Sequence, residues 1–213
     1  IKQLSYHEAM ELSHFGAKVI YPPTLQSVAE KNIPVVVKNT FQPNEPGTFI
    51  SNESASNGEV VRGISYIENI ALLTLEGSGM IGIPGYSKKL LSTLAKAKIN
   101  VIMMTQASSE HSICIGIEND LAVQAKKLIE KDFDYEIETQ RINPISIENN
   151  LSIIALVGEK MKSFQGISGK MFSALGRNNV NVKAIAQGAS ERNITAVIDS
   201  TNTKQALNIL HEA

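Results

Sequence analysis

Two glutamines and a repeated set of glycines are the residues whose types and spacing could bind a small polar molecule. Gln106 and Gln187 each end an apolar run, and Gly85 and Gly166 each begin a predicted helix. N–H groups at a helix start favour a carboxylate, and a glutamine side chain both accepts and donates hydrogen bonds. A free amino acid needs such a combination, because it carries a carboxylate and an ammonium. Residue types alone leave open that the glycines only form turns and that the amides only cap loops.

Other arrangements of reactive residues give weaker evidence for a functional site. His7, Glu11 and His14 would share one helix face, but they do not form a zinc motif and no further ligand is evident, so we expect no metal site. Cys114 is the only cysteine and lies in an alternating strand pattern, which favours a buried structural thiol over a nucleophile. The sequence contains neither a phosphate-binding P-loop nor the serine motif of hydrolases. These residues therefore indicate binding rather than catalysis.

The composition is that of a globular protein of modest charge. The 213 residues carry a formal net charge of −1, and 43% of them are hydrophobic. This balance gives no electrostatic attraction to nucleic acid, and no apolar run approaches the roughly 20 residues of a membrane span. Aromatic residues make up 5% and include no tryptophan, so a sheet that stacks RNA bases is also disfavoured. We expect no nucleic-acid or membrane partner, and a single cysteine fits a cytoplasmic location.

An internal repeat shows which elements must position these residues. The offset of 81 residues that separates Gln106 from Gln187 matches INVIMMTQASSE with VNVKAIAQGASE and continues without a gap over most of the second half of the chain. It also pairs Gly77 with Gly158, Met80 with Met161, Gly85 with Gly166, Ser87 with Ser168 and Lys89 with Lys170. Two copies of one unit, the first module and the second module, therefore follow each other.

The pattern within a module predicts the order strand, helix, strand, strand, helix, strand. The predicted elements are 70–76, 86–98, 99–105, 113–117, 121–131 and 135–142 in the first module, with a polar turn at 108–112, and 151–157, 166–178, 180–186, 194–199 and 203–213 in the second. This is the ferredoxin-like βαββαβ arrangement, an α+β fold with both helices on one face of an antiparallel sheet. The second module lacks its fourth strand, and residues 60–67 are a candidate donor because an open sheet edge must be paired.

The sequence resembles the C-terminal regulatory region of aspartate kinases, which contains two ACT domains. The resemblance rests on GSGMIGIPG at 77–85, on the two matched stretches, and on the opening SYHEAMELSHFGAKV, which is similar to the end of the kinase domain. The opening and the two glutamines are most similar to bifunctional aspartokinase–homoserine dehydrogenases. The resemblance implies that residues 1–59 are the helical end of the kinase domain with its connector, and that the ACT modules at 60–143 and 144–213 share a sheet.

The family implies a role in feedback regulation. Its members phosphorylate the side-chain carboxylate of aspartate with ATP and Mg²⁺, and the bifunctional ones add an NAD(P)-dependent dehydrogenase. Motifs of both catalytic domains have no match here, so we expect this chain to use no cofactor and to be inactive by itself. The expected role is the binding of an end-product amino acid, with threonine favoured, by ACT modules that pair at least into a homodimer.

The resemblance assigns effector binding to matching positions in both modules. These positions are Met80, Gly85, Tyr86, Asn100, Val101 and Gln106 in the first module, and Met161, Gly166, Ile167, Asn181, Val182 and Gln187 in the second. The second module departs from the pattern because GEKMKSFQG replaces GSGMIGIPG, which weakens the case for its site. The alternatives are a lysine-sensing monofunctional aspartate kinase and a purely oligomerising ACT pair without a ligand.

Overall fold

The first part of the chain is a small region of helices and short strands. The computed structural model describes residues 1–17, 19–53, 59–106 and 111–213, so part of the predicted turn at 108–112 lies outside the described residues. The first elements are β1 (Gln3–Ser5), α1 (Tyr6–Leu12), a π-helical turn (Ser13–Ala17), α2 (Pro22–Ala29), β2 (Val35–Val37) and β3 (Thr48–Ser51). The strands form a sheet in the order β1-β3-β2, in which β3 is parallel to β1 and antiparallel to β2.

Helix α1 begins at a capping box. The hydroxyl of Ser5 accepts from the N–H of Glu8 at 3.1 Å, and Glu8 Oε2 accepts from the N–H of Ser5 at 2.9 Å. This reciprocal pair satisfies two backbone donors that the helix start would otherwise leave unbonded. It also fixes the carboxylate of Glu8 inside the protein, where the residue is only 1% exposed.

The remaining elements follow the order of two modules. The first module contains β4 (Gly63–Glu76), a 3₁₀ turn (Ser78–Met80), α3 (Tyr86–Lys96), β5 (Met103–Gln106), β6 (Ser112–Glu118), a 3₁₀ turn (Asn119–Leu121), α4 (Ala122–Asp132) and α5 (Asp134–Glu138). The second contains β7 (Ser146–Val157), a 3₁₀ turn (Glu159–Ser163), α6 (Ile167–Arg177), β8 (Val182–Ala186), β9 (Asn193–Asp199), a 3₁₀ turn (Ser200–Asn202) and α7 (Thr203–Glu212). Helices α3, α4, α6 and α7 begin at their predicted first residue or one residue later.

The described chain divides into two compact units, and strands β4 and β7 each contribute to both. The unit of the first module comprises Glu68–Ser152 and Ala184–Ala186, and the unit of the second comprises Ile1–Ile67, Ile153–Lys183 and Gln187–Ala213. The sheet order is β5-β6-β4-β7 in the first and β4-β7-β9-β8 in the second. Each unit therefore has four strands in the order of a ferredoxin-like sheet, and the predicted α+β class is confirmed.

Backbone hydrogen bonds show which strands are neighbours in each sheet. In the first module Leu73 of β4 is in register with Ile115 of the antiparallel β6, and the N–H of Asn143 donates to Glu76 O at 2.7 Å just before β7 begins. In the unit of the second module the N–H of Arg62 donates to Val157 O at 2.7 Å, at the start of β4. Residues 63–67 therefore occupy the edge position of the fourth strand, beside β7.

The predicted strand at 135–142 is wrong. Residues Asp134–Glu138 form α5, in which the N–H of Ile137 donates to Phe133 O at 3.0 Å. Phe133 and Ile142 are buried at the two ends of this segment, whereas Tyr135 is 61% exposed. The segment pairs with no strand in the described part of the chain, so its backbone groups are satisfied locally by helical turns. The fourth strand of the first module is instead the first half of β7.

The two cores repeat the same positions. Helix α3 buries Leu90 and Leu94, and the matching residues of α6, Met171 and Leu175, are buried against the second sheet. An apolar stripe at positions four apart is what an amphipathic helix needs to cover a sheet. None of the described helices combines the length and apolar composition that a bilayer span requires.

Candidate functional site

A cleft of about 330 Å³ lies in the first module at the start of α3 and the end of β5. The described residues that line it are Met80, Gly82, Ile83, Pro84, Gly85, Tyr86, Ser87, Gln106 and Ile113. Four of the six predicted positions of this module are among them. The volume is at the lower end of the range typical of small-ligand sites. The structure thus places glycine, glutamine and a helix start around one cleft.

The loop that precedes each first helix ends in the same backbone turn in both modules. The first-module loop is residues 77–85 and the second-module loop is residues 158–166. Each ends at a glycine with a left-handed backbone, with φ of 111° at Gly85 and 86° at Gly166. A side chain at this φ would be strained, so glycine allows the chain to turn directly into the helix. The first N–H groups of α3 and α6 consequently face the loop end as donors for an anion.

A serine on each helix contacts the predicted glutamine. The hydroxyl of Ser87 donates to Gln106 Oε1 at 3.3 Å, and the hydroxyl of Ser168 donates to Gln187 Oε1 at 3.5 Å. Both glutamine side chains are exposed, so they are accessible to a ligand. Each bond orients the carboxamide against the first turn of the helix, where the N–H donors lie. Glutamine and helix start are therefore brought together in both modules.

Methionine and aromatic positions form the inner part of the site. Met80 and Met161 are each 3% exposed and belong to the cores of their modules. Tyr86 is half-buried, its hydroxyl donates to Gly79 O at 3.2 Å, and its ring stacks on Phe133 with centroids 6.0 Å apart. Ile167 takes this position in the second module and packs on the core. The first module therefore has an aromatic side chain beside its loop where the second has an aliphatic one.

The other predicted positions lie between each helix and the next strand, except Val182, which is the first residue of β8. Asn100 and Asn181 are exposed there. Val101 packs against the first core and Val182 against the second. Asn100 and Val101 are not among the described residues that line the 330 Å³ cleft. Their contribution to effector binding stays a prediction.

A second cleft of about 280 Å³ shares residues 83–86 with the first and contains an ion pair. Lys89 Nζ lies 2.6 Å from Glu136 Oε1 and 4.4 Å from the centroid of the Phe133 ring. Burial of Glu136 raises its pKa, but the hydrogen bond from Lys89 and nearby positive charge outweigh this effect, so that the pKa lies below its usual value. This pair fastens α5 to α3 and supports the wall of the site.

The remaining reactive residues have structural contacts. Cys114 is half-buried, the hydroxyl of Thr74 donates to its sulfur at 3.7 Å, and burial raises the pKa of the thiol. A thiol with a raised pKa is a poor nucleophile, which agrees with a structural role, although the residue is less buried than predicted. Glu11 of the predicted helix face accepts from Asn193 Nδ2 at 2.7 Å.

Several residues of the site were not predicted from the sequence. Ile83, Pro84, Ser87 and Ile113 line the cleft, and the Lys89–Glu136 pair lies behind it. Ser87 had a signal in the sequence, because it pairs with Ser168 at the same offset that pairs the two glutamines. Glu136 had none, since it lies in the segment predicted to be a strand.

The family is decided by a comparison with known domains. The ACT domain model matches residues 73–133 and 154–213, which together are more than half of the chain. This chain belongs to the ACT domain family. The two matches fall on the two modules, so the loops, the glutamines and the cleft described above lie within the ACT modules of this chain.

Relatives of the whole chain are aspartate kinases. The bifunctional aspartokinase/homoserine dehydrogenase of Haemophilus influenzae is 42% identical over 210 residues, which are 99% of this chain and 26% of that protein. The crystal structure of Clostridium acetobutylicum aspartate kinase matches with a TM-score of 0.88 and 29% identity, over 100% of this chain and 48% of the other. E. coli aspartokinase III in complex with lysine and aspartate (T-state) matches with a TM-score of 0.77 and 26% identity, over 100% of this chain and 46% of the other.

These matches confirm the predicted resemblance to the regulatory region of aspartate kinases. The chain spans about a quarter of the length of the bifunctional relative from Haemophilus influenzae. It therefore corresponds to one part of that protein, the part that contains the ACT modules.

Proposed function

We propose that this chain is the amino-acid-sensing region of an aspartate kinase and that it binds threonine to inhibit phosphorylation of aspartate by ATP. The observation that carries the proposal is the meeting of Gln106, Ser87 and the start of α3 at one cleft. The N–H groups of the first turn of α3 would receive the effector carboxylate. The carboxamide oxygen of Gln106 would accept from the effector ammonium, for which an amide acceptor is suited.

The lining of the cleft favours threonine over lysine. Its described residues include no acidic side chain, whereas Ile83, Pro84 and Ile113 are apolar. The second ammonium of lysine would lose hydration there without an anionic partner, which is unfavourable. Lysine is still the second candidate, because E. coli aspartokinase III was solved with lysine.

The longer protein would have further parts. We propose that residues 1–59 end the kinase domain, that the ACT modules extend over 60–143 and 144–213, and that these modules form at least a dimer. The kinase would use ATP and Mg²⁺, a fused dehydrogenase would use NAD(P), and this chain alone would be inactive. A cytoplasmic location stays a prediction.

Calorimetric titration with L-threonine, with L-lysine and L-methionine as controls, tests the choice of effector. We expect heat from threonine only, together with a stabilisation of about 2.7 kcal/mol at a hundredfold excess over Kd. Heat from lysine alone would move the assignment to the lysine-sensing class. No heat from any of the three, with a folded dimer, would favour an ACT pair that only oligomerises.

Alanine variants of the glutamines test the site itself. Gln106→Ala should weaken threonine binding roughly 10- to 150-fold, because a hydrogen bond to a charged group contributes about 1.5–3 kcal/mol. Gln124→Ala, on the exposed face of α4, is the matched control and should bind normally. Unchanged binding by Gln106→Ala would exclude this cleft, and the same comparison with Gln187→Ala would show whether the second module also binds.

A further inference from the structure

The carboxylate of Glu8 connects helix α1 to the second-module loop. Its Oε2 closes the capping box with Ser5, and its Oε1 accepts from the N–H of Glu159 at 3.1 Å. Glu159 is the first residue of the 3₁₀ turn in that loop. Arg62 lies 3.8 Å from the same Oε1 and is itself buried, so the carboxylate has a positive neighbour inside the protein. One side chain thus bonds the backbone at both ends of the contact.

Two further contacts, one in this loop and one beside it, involve residues from the first 60 of the chain. A Cβ added to Gly158 would lie 2.1 Å from Val60 O, so the backbones meet without space for a side chain. Next to the loop, Asn193 Nδ2 donates to Glu11 Oε2 at 2.7 Å, which bonds the start of β9 to α1. The contact is therefore formed by backbone and side chains together, over two turns of α1.

We propose that the second-module loop and α1 move as one body, and that Glu8 is the positioning residue through which the state of this loop reaches the segment ahead of the modules. The proposal rests on the proposed function for its biological meaning, because that segment would belong to the kinase. The physical connection between Glu8 and the second-module loop does not depend on that function. The loop runs from Gly158 to Gly166 and ends at the start of α6, where Ser168 contacts Gln187. An effector at that helix start would shift the loop and hence α1.

Removal of the N–H that donates to Glu8 tests the connection. Glu159→Pro deletes this N–H, and proline is well accepted at the first position of a helical turn that follows an extended residue such as Gly158. Glu159→Ala is the matched control, because it keeps the N–H and loses the same carboxylate, which lies 3.9 Å from Arg192. Ser78→Pro places proline at the matching position of the first module.

Hydrogen exchange measured by mass spectrometry on the 213-residue chain gives the readout. Amides at 10–12 of α1 should exchange at least about tenfold faster in Glu159→Pro than in Glu159→Ala, since a charge-assisted hydrogen bond is lost. Ser78→Pro should leave α1 unchanged. Equal exchange in the two position-159 variants, within about twofold, would overturn the proposal.

A variant at the other end of the bond provides an independent check. Glu8→Gln keeps a residue type that completes capping boxes but leaves one oxygen for two backbone donors. Exchange in residues 159–163 should rise, and no rise would also overturn the proposal.

The same exchange measurement with added effector distinguishes a failure of this proposal from a failure of the proposed function. Saturating L-threonine should alter α1 exchange in Glu159→Ala and not in Glu159→Pro. Binding of threonine at the second module, identified by its loss in Gln187→Ala, that leaves α1 unchanged in Glu159→Ala would contradict the connection. Absence of threonine binding would instead remove the proposed function, and the ligand-free comparison of the position-159 variants would still decide the connection.

Discussion

The loops of the two modules begin and end with similar glycine conformations but are closed by different parts of the chain. In the first module the N–H of Gly79 donates to Arg141 O at 2.9 Å, so the loop is closed by residues 133–142, the closing segment of its own module. In the second module the contacts come from Val60, just before β4, and from Glu8 of α1. A duplicated loop can therefore keep the geometry of its two ends and still acquire a new partner. The closing segment holds the first loop beside the cleft. Val60 and Glu8 instead tie the second loop to residues that come much earlier in the chain.

The sequences of the loops agree with this division. The first loop contains Gly79, whose added Cβ would lie 2.5 Å from Arg141 Cβ, so a side chain there would displace the closing segment. The second loop has Lys160 at the matching position. Residue differences between the copies thus follow the different neighbours, and equal positions do not imply equal roles.

Among the variants that test this comparison, the largest loss of stability should come from replacing Phe133, which anchors the closing segment. Phe133 is 0% exposed, stacks on Tyr86 and lies under Lys89, so Phe133→Ala should destabilise the first module by about 3–5 kcal/mol. Urea unfolding followed by circular dichroism measures the loss, because the chain contains no tryptophan. Exchange should rise in residues 77–85 and stay unchanged in 158–166. A uniform rise in both loops would contradict the separate closure of the first loop.

Alanine at the first glycine of each loop should separate the two closures. A Cβ at Gly77 would lie 2.3 Å from Arg141 O, and one at Gly158 would lie 2.1 Å from Val60 O, so each variant should lose roughly 1–3 kcal/mol by overpacking. We expect faster exchange at 133–142 for Gly77→Ala and at α1 for Gly158→Ala.

A glycine with space around it controls for the substitution itself. Gly169 lies within α6 and an added Cβ would meet nothing within 4 Å, so Gly169→Ala should stabilise by about 0.5–1 kcal/mol. If Gly77→Ala and Gly158→Ala change the same peptides, the two loops are not closed by different segments.

The repeat was sufficient to predict most of the fold, because core positions recur with it. Leu90 and Leu94 match Met171 and Leu175, and these pairs define corresponding helix faces. The closing segment could not be predicted in this way, since its match at the offset of 81 would fall beyond residue 213. Without a second copy for comparison, the helix at Asp134–Glu138 was mistaken for a strand.

The site was predictable where the residue type itself has a local role. Gly85 and Gly166 were predictable because a left-handed turn favours glycine. The two glutamines were predictable because they occupy matched positions in the repeat. Contacts between distant residues were not predictable, because they depend on packing. Glu8 and Glu159 are 151 positions apart, and the buried carboxylate of Glu8 looks in the sequence like an ordinary capping residue.

The smallest predicted effect concerns the ion pair that fastens the closing segment to α3. The pKa of Glu136 lies below its usual value of about 4.3 in the folded state, so this carboxylate stabilises the fold fully above that pH and loses its contribution as the pH falls through the folded pKa. Glu136→Gln should therefore be less stable than the wild type at about pH 7, and the difference should shrink below about pH 4. Glu138→Gln, exposed on the same helix, is the control and should show little difference at either pH. Urea midpoints across this range measure the effect, and a difference that grows on acidification would reverse the assigned sign and remove the pair as a support of the first loop.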